Sequence, residues 1–413
     1  MKPPQPTALR RRAEDAIAAR RERRAARPRR FAGVRRYLAI IGPGLIVANA
    51  GNDAGGVFTY SNTGSKYGLH MLWAFLPILL ALIVTQEMVA RLGCVTGKGL
   101  MDLIRERFGV RWTLFASLVV IVANGGTVLA EFAGIGGALG LLGVPLPIAV
   151  IGAAVMVHPD WGQVAHALVV PNLSHPPNKP GATSYTTDLI TLIGTTITPY
   201  MQLFLQSSIV DKGTSEKELK YARADVISGS FFAQMVAAFI VVTTAYTLFP
   251  HGFAGQDLSS AADAAQALKP LAGDHATQLF AVGLLGASLL AAAVLPLSTA
   301  FVVCEAFGAE RSVQSRFSEA PLFFGLFIGL LVTGAVVVAL LGSSSIAAVA
   351  IGTQTLDGIL LPVLLVFILI LANDRRLLGR YRNGPFDNAV AVLFTVVLSA
   401  LTAYLVLSTF LPL

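Results

Sequence analysis

Asp53 is the residue in this chain whose presence most needs a chemical reason. It stands in the stretch PGLIVANAGNDAGG, residues 43–56, between an apolar run that starts at Tyr37 and another that resumes at Val57. A carboxylate near the centre of a bilayer costs roughly 3 kcal/mol on insertion scales, so it persists where it has a role or a partner. Gly51, Asn52, Gly55 and Gly56 surround it and are poor helix formers, so a helix is expected to break here. A broken membrane helix frees backbone carbonyls, and carbonyls beside a carboxylate suit a cation. The same residues also fit a structural kink in which Asp53 caps the second half-helix.

A second interruption lies in GTTITPYMQLFLQSSIVDKG, Gly194 to Gly213. Pro199 has no N–H, so the carbonyl of Thr195 loses its helix partner and is free to face a cation. Thr195, Thr196 and Thr198 add hydroxyls, although a membrane-helix threonine often bonds only its own backbone. Two interrupted apolar segments in matching halves are the sequence pattern of an inverted-repeat transporter, with the site where the breaks meet.

The elements that must hold these residues are membrane helices. The chain has 413 residues, 54% hydrophobic and 13% charged, with a mean hydropathy of +0.68. Successive apolar runs of about 20 residues make it an all-α polytopic membrane protein with little room for a soluble domain. Spans are expected at 37–63, 70–92, 113–142, 186–210, 226–249, 277–303, 322–342, 345–372 and 388–411. The net charge of +8 is local: residues 1–36 hold thirteen Lys/Arg against three Asp/Glu. That segment reads as a cytosolic tail that meets anionic lipid, not as a nucleic-acid binder, because Phe31 is its one aromatic residue. No cleavable signal peptide is read before Tyr37. Cys94 and Cys304 give no disulfide framework. No HExxH, GxSxG or Walker pattern occurs, and the six histidines fall in loops or at span ends, so an enzyme is not expected.

Clustered Lys/Arg in the tail and in 98–111, 211–225, 304–319 and 373–382 place all five segments on the cytoplasmic side. Each interval between them then holds an even number of crossings. The stretch Val144 to Val157 breaks that count if it crosses, and at fourteen residues it is short of the ~20 that a crossing needs. It is read as interfacial, re-entrant, or the remnant of a helix pair.

Several motifs together resemble the NRAMP family of divalent-metal transporters: GPG at 42–44, Asp53-Ala54-Gly55, ARLGCVTGKGL at 90–100, LAEFAG at 129–134, the segment around Pro199, CEAFG at 304–308, Gln354, and the run from Gly358 to Gly379. The resemblance covers most of residues 37–382. It implies a LeuT-type fold working by alternating access, with a first repeat at about 37–165, a second at about 186–372 and an extra helix at about 388–411. It also implies a multi-pass protein of the cell (inner) membrane with a cytoplasmic N-terminus, expected to be monomeric and to carry no cofactor besides its transported ion. Family members have two full spans where this chain has Val144 to Val157, so about one helix or helix pair, the fourth and fifth, is missing from the expected set.

The departures from the family pattern carry the specificity argument. Typical members read Asp-Pro-Gly-Asn where this chain has Asp53-Ala54-Gly55-Gly56, so an amide ligand is absent and volume is vacated. In the span at 186–210, called span 6 to leave room for the two that family members carry before it, the methionine before the proline is Thr198 and the histidine after it is Tyr200; an aspartate three residues before Glu131 is Val128. The pattern is similar to the NRAMP-related magnesium transporter branch. A thioether suits soft ions and not Mg²⁺, and Mg²⁺ usually keeps several waters. The expected ligands are Asp53, the Thr195 carbonyl, the Thr198 hydroxyl and Gln354, partly through water. Gly56, Tyr200, Glu131 and Asp357 are pathway or gating candidates; Glu131 also reads as a plain buried acid, Asp357 as a partner for a neighbouring span, and Gln354 as an interhelical hydrogen bonder. The expected activity is divalent-metal transport, Mg²⁺ favoured and Mn²⁺ also, weakly or not proton-coupled. The other readings are a proton-coupled Mn²⁺/Fe²⁺ transporter, a sodium-coupled amino-acid symporter and a non-transporting homologue.

Overall fold

The computed structural model describes residues 42–139, 141, 160–173, 175–341 and 346–410. The basic tail, the first residues of span 1 and the 144–157 stretch lie outside the described residues. Within them the chain is helical. Helix α1 (Pro43–Ala50) and helix α2 (Ala54–Tyr67) are the two halves of span 1. There follow α3 (Phe75–Thr96), α4 (Leu100–Phe108), α5 (Val110–Leu139) and α6 (Trp161–Val169). Span 6 is split into α7 (Tyr185–Thr196) and α8 (Pro199–Asp211). The remaining long helices are α9 (Leu219–Thr247), α10 (Ala276–Phe307), α11 (Pro321–Leu341), α12 (Ile346–Asn373) and α13 (Pro385–Phe410).

Seven of the described helices are long and apolar enough to cross a membrane. Each half of the two split helices is at most 14 residues and needs its partner to reach across. The breaks have local causes. Asp53 is the N-cap of α2, its side chain accepting the Gly56 amide, and that bond competes with continuing α1. Pro199 opens α8 at its first position, where its missing N–H is harmless and its fixed φ is already helical. Ends elsewhere use glycine in the left-handed region, as at Gly97 (φ 65°) after α3.

Helices α10 and α12 both pack on α5, α9 lies along α1, α2 and α3, and α7 lies against α12. Small residues permit the closest approaches, as membrane helices require. A Cβ on Gly194 would overlap the Gln354 carbonyl, and one on Gly358 would overlap the Ile190 carbonyl. This pair of glycines seats α12 directly on α7. Helices α11 and α13 are mostly exposed along their apolar lengths and form the lipid-facing periphery.

The basic loops do gather on one face. Arg107 pairs with Asp374 at 3.0 Å, Arg380 with Glu216 at 2.9 Å, and Arg311 with Asp102. These pairs tie together all four of the described basic loops. Exposed pairs of this kind contribute little stability each, so their value is as a marker of sidedness. On the same face Asp225 accepts from the amides of Gly42 and Gly44, the latter at 2.7 Å, and so anchors the start of α1 to α9. Two expected loops are shorter than read. The charged segment 211–225 already turns into α9 at Leu219, because Arg223 pairs with Glu87 on α3 and the charges stay on the bundle's rim. The polar 158–185 loop contains α6, capped by Asp160.

Overpacking at a glycine contact typically destabilises by about 1–3 kcal/mol. Gly194→Val is therefore expected to lower the thermal midpoint of the detergent-solubilised protein, while Gly286→Val, whose added Cβ meets nothing within 4 Å, leaves it near the parent value.

Candidate metal-ion site

The two breaks meet. A Cβ built on Gly56 would stand 3.3 Å from Asp53 Oδ1, 3.4 Å from Thr195 Oγ1 and 2.8 Å from the carbonyl oxygen of Gly51. One point inside the protein is thus ringed by oxygen from the first break and from the end of α7. Asp53 is fully buried and turned inward. Its Oδ1 accepts the Gly56 amide at 2.6 Å, which fixes the carboxylate plane, while Oδ2 has no hydrogen-bond partner.

The other expected ligands share this state. Thr198 Oγ1 and both amide atoms of Gln354 are buried without partners. At Thr195, where the carbonyl was the expected ligand, it is the hydroxyl Oγ1 that is buried, unpartnered and near the break. All three residues have no exposed surface. An unpaired buried polar group costs about 1–3 kcal/mol, so a group of them is a place built to bind something polar. Gln354 lies against the split helix: a Cβ on Gly55 would overlap its amide nitrogen. Thr196, by contrast, is spoken for, since its hydroxyl bonds the Leu192 carbonyl at 2.8 Å and the Tyr60 hydroxyl at 3.2 Å.

Gln202 belongs with these residues and was not among the expected ligands. Both of its amide atoms are buried and unpartnered. It lies at the start of α8, four residues after the N-cap Thr198. That spacing within TPYMQ was the available signal.

Gly56 needs a correction. Its lack of a side chain was read as vacated volume, but the Gly51 carbonyl oxygen stands 2.8 Å from where a Cβ would be, too close for a side chain to start there without a shift. The tight turn of residues 51–53 brings backbone oxygen into that place, so an oxygen replaces the absent amide and no extra room results there.

The pathway candidates fall into two groups. Glu131 reaches the break itself: Oε2 accepts the Ala54 amide at 3.2 Å, at the positive end of α2, and Oε1 is unpartnered. Tyr200 donates to the Ala50 carbonyl at 2.7 Å and thereby ties the end of α1 to the first turn of α8. Asp357 is held further off by Thr127 on α5, whose hydroxyl donates to Oδ2 at 2.8 Å, leaving Oδ1 unpartnered. Two other membrane acids are satisfied at the basic face. Glu87 pairs with Arg91 and Arg223, and Glu305 accepts from Ser207 at 2.6 Å and from the Met101 amide.

Among the described residues no group of three or more His, Cys, Asp or Glu side chains converges as a metal cluster. The donor set at the breaks is the Asp53 carboxylate, with Glu131 also reaching the break, and carbonyl, hydroxyl and amide oxygens. Such a set is hard, and it suits an ion that retains part of its water shell.

Known proteins agree with this architecture. The chain resembles the divalent metal cation transporter MntH of Aeromonas hydrophila, 29% identical over 90% of this chain and 96% of that protein. It is 26% identical to MntH of Bacillus subtilis, over 92% of this chain and 94% of the relative. Its fold matches the crystal structure of the Eremococcus coleocola manganese transporter with a TM-score of 0.68 at 20% identity, covering 91% of this chain and 87% of that one. The nucleobase-cation-symport-1 family transporter Mhp1 shares the fold more distantly, with a TM-score of 0.50 at 14% identity, covering 90% of this chain and 91% of that one. The LeuT-type inverted-repeat fold is thereby established. The family described as natural resistance-associated macrophage protein-like matches residues 44–157 and 151–408, and the chain is a member of that family, Nramp.

Proposed function

We propose that this protein carries divalent metal ions across the membrane by alternating access, taking Mg²⁺ preferentially and Mn²⁺ as well, with weak or no coupling to protons. The observation that carries the reading is the meeting of Asp53 and Thr195 around Gly56, with Thr198, Gln202 and Gln354 buried and unpaired beside them. The relatives' names, divalent metal cation transporter and manganese transporter, support the dication. Preference for Mg²⁺ rests on Thr198 standing where typical members have a thioether, since an all-oxygen set removes the discrimination in favour of soft ions. Repeats at about 37–165 and 186–372 would each contribute one split helix, with the helix at 388–411 outside both. The basic face is taken as cytoplasmic.

Weak coupling follows from the groups that are missing. Val128 and Tyr200 replace titratable residues, and the Tyr200 hydroxyl is committed to the Ala50 carbonyl. The membrane potential suffices as a driving force. Moving two charges inward across 100 mV is worth about 4.6 kcal/mol, which supports accumulation of roughly three orders of magnitude.

Proteoliposomes loaded with a metal-sensitive dye test the reading. Asp53→Ala is expected to reduce Mg²⁺ and Mn²⁺ uptake at least roughly tenfold, and equal flux in both proteins removes Asp53 from the mechanism. An imposed inside-negative potential should accelerate uptake with no matching proton influx; a fixed metal-to-proton ratio defeats the uncoupled reading. Thr198→Met supplies a soft ligand and is expected to raise Cd²⁺ competition against Mg²⁺. Gly56→Asn, which restores the family's usual residue, is expected to lower both thermal stability and uptake, because its Cβ meets the Gly51 carbonyl.

A further inference from the structure

On the face opposite the basic loops, a buried lysine closes the bundle. Lys66 has no exposed surface. Its ammonium contacts Asp188 Oδ2 at 2.7 Å, Asp257 Oδ1 at 2.6 Å, and both the carbonyl and the hydroxyl oxygen of Thr183 at 2.8 Å. The acids are cross-braced. Tyr67 and Thr183 donate to the two oxygens of Asp188, and the Thr183 amide and Asn62 donate to Asp257. The backbone joins in, with the Gly255 amide donating to the Lys66 carbonyl at 3.0 Å.

The position of this cluster is what gives it meaning. Lys66 ends α2, and Asp188 lies in the first turn of α7. These are the half-helices that run from the two breaks toward this face. From Asp53 to Lys66 is about 20 Å of helix rise. Both half-helices lead from the breaks to this face, and every expected ligand at the breaks is fully buried. Three separate segments, α2, α7 and the 252–258 loop, are held at one point by a single tethered cation. Withdrawing that cation leaves two carboxylates facing each other, and like charges at close range repel strongly in a poorly hydrated place. Tyr67 also ties α2 to Asp188, but once Lys66 leaves, the facing carboxylates work against that single bond.

We infer that Lys66, clasped by Asp188 and Asp257, is the outer gate of this transporter, a positioning residue that must leave its oxygen cage before an ion can reach Asp53 from this face. The inference rests on the transport reading above. The test uses Thr198→Cys as a reporter in intact cells, labelled by a membrane-impermeant methanethiosulfonate ammonium reagent. The reporter-free chain, whose Cys94 and Cys304 are buried, sets the background. With Lys66 in place labelling is expected to be slow. Lys66→Met is expected to accelerate it roughly tenfold or more, and Lys66→Arg to keep it close to the parent rate. Asp257→Asn, which leaves the Lys66–Asp188 pair in place, is expected to act in the same direction and less strongly; it is the variant to use if Lys66→Met does not elute as a single folded species. Unchanged labelling in folded Lys66→Met or Asp257→Asn overturns the gate. Metal uptake by the unsubstituted chain, measured in parallel, separates the failures: uptake with unchanged labelling removes the gate alone, and absent uptake removes the transport reading and the gate with it.

Discussion

The whole structure depends on leaving a few oxygens unpaired in a place without water. A membrane interior forces nearly every polar group to find a partner within the protein. The acids at the basic rim of this bundle obey that rule: Glu87, Glu305 and Asp225 are all engaged. The bundle departs from it at the centre, where Asp53, Thr195, Thr198, Gln202 and Gln354 present unpartnered atoms. The rest of the fold sustains that departure. The Gly56 amide and Glu131 steady the break from one side, Tyr200 pins α1 to α8, and the Gly194–Gly358 contact presses Gln354 toward it.

Much of this was legible in the chain because membrane helices punish exceptions. A carboxylate flanked by glycines inside an apolar run has few explanations, and a proline in mid-span has one local effect. Both breaks fell where composition put them, at residues 51–53 and 197–198. The clustered charge also marked the four described basic loops that gather on one face, since charge near span ends is set by topology more than by packing. Residues 144–157, where the shortfall of helices was expected, lie outside the described residues.

What the sequence hid depended on tertiary approach. Gln202 looked like one more polar residue in an apolar helix until its isolation from every partner was visible. Gly56 suggested empty space, and only the path of the turn revealed that the Gly51 carbonyl fills it. Lys66 fell beyond the expected end of span 1, at 63, and a lysine just outside an apolar run ordinarily snorkels to water. Its burial comes from residues more than a hundred positions later, Thr183, Asp188 and Asp257, which no local pattern connects to it.

The ion pairs at the two ends of the bundle differ in how much solvent reaches them. At the basic face Arg107 and Arg380 are 53% and 77% exposed, whereas Lys66 at the opposite end is sealed. Mobile salt screens the first kind within about 10 Å at 0.1 M and hardly touches the second. Ionic strength therefore loosens one end of the protein and spares the other, so the electrolyte in the compartment bathing the arginine-rich side sets how readily that end parts.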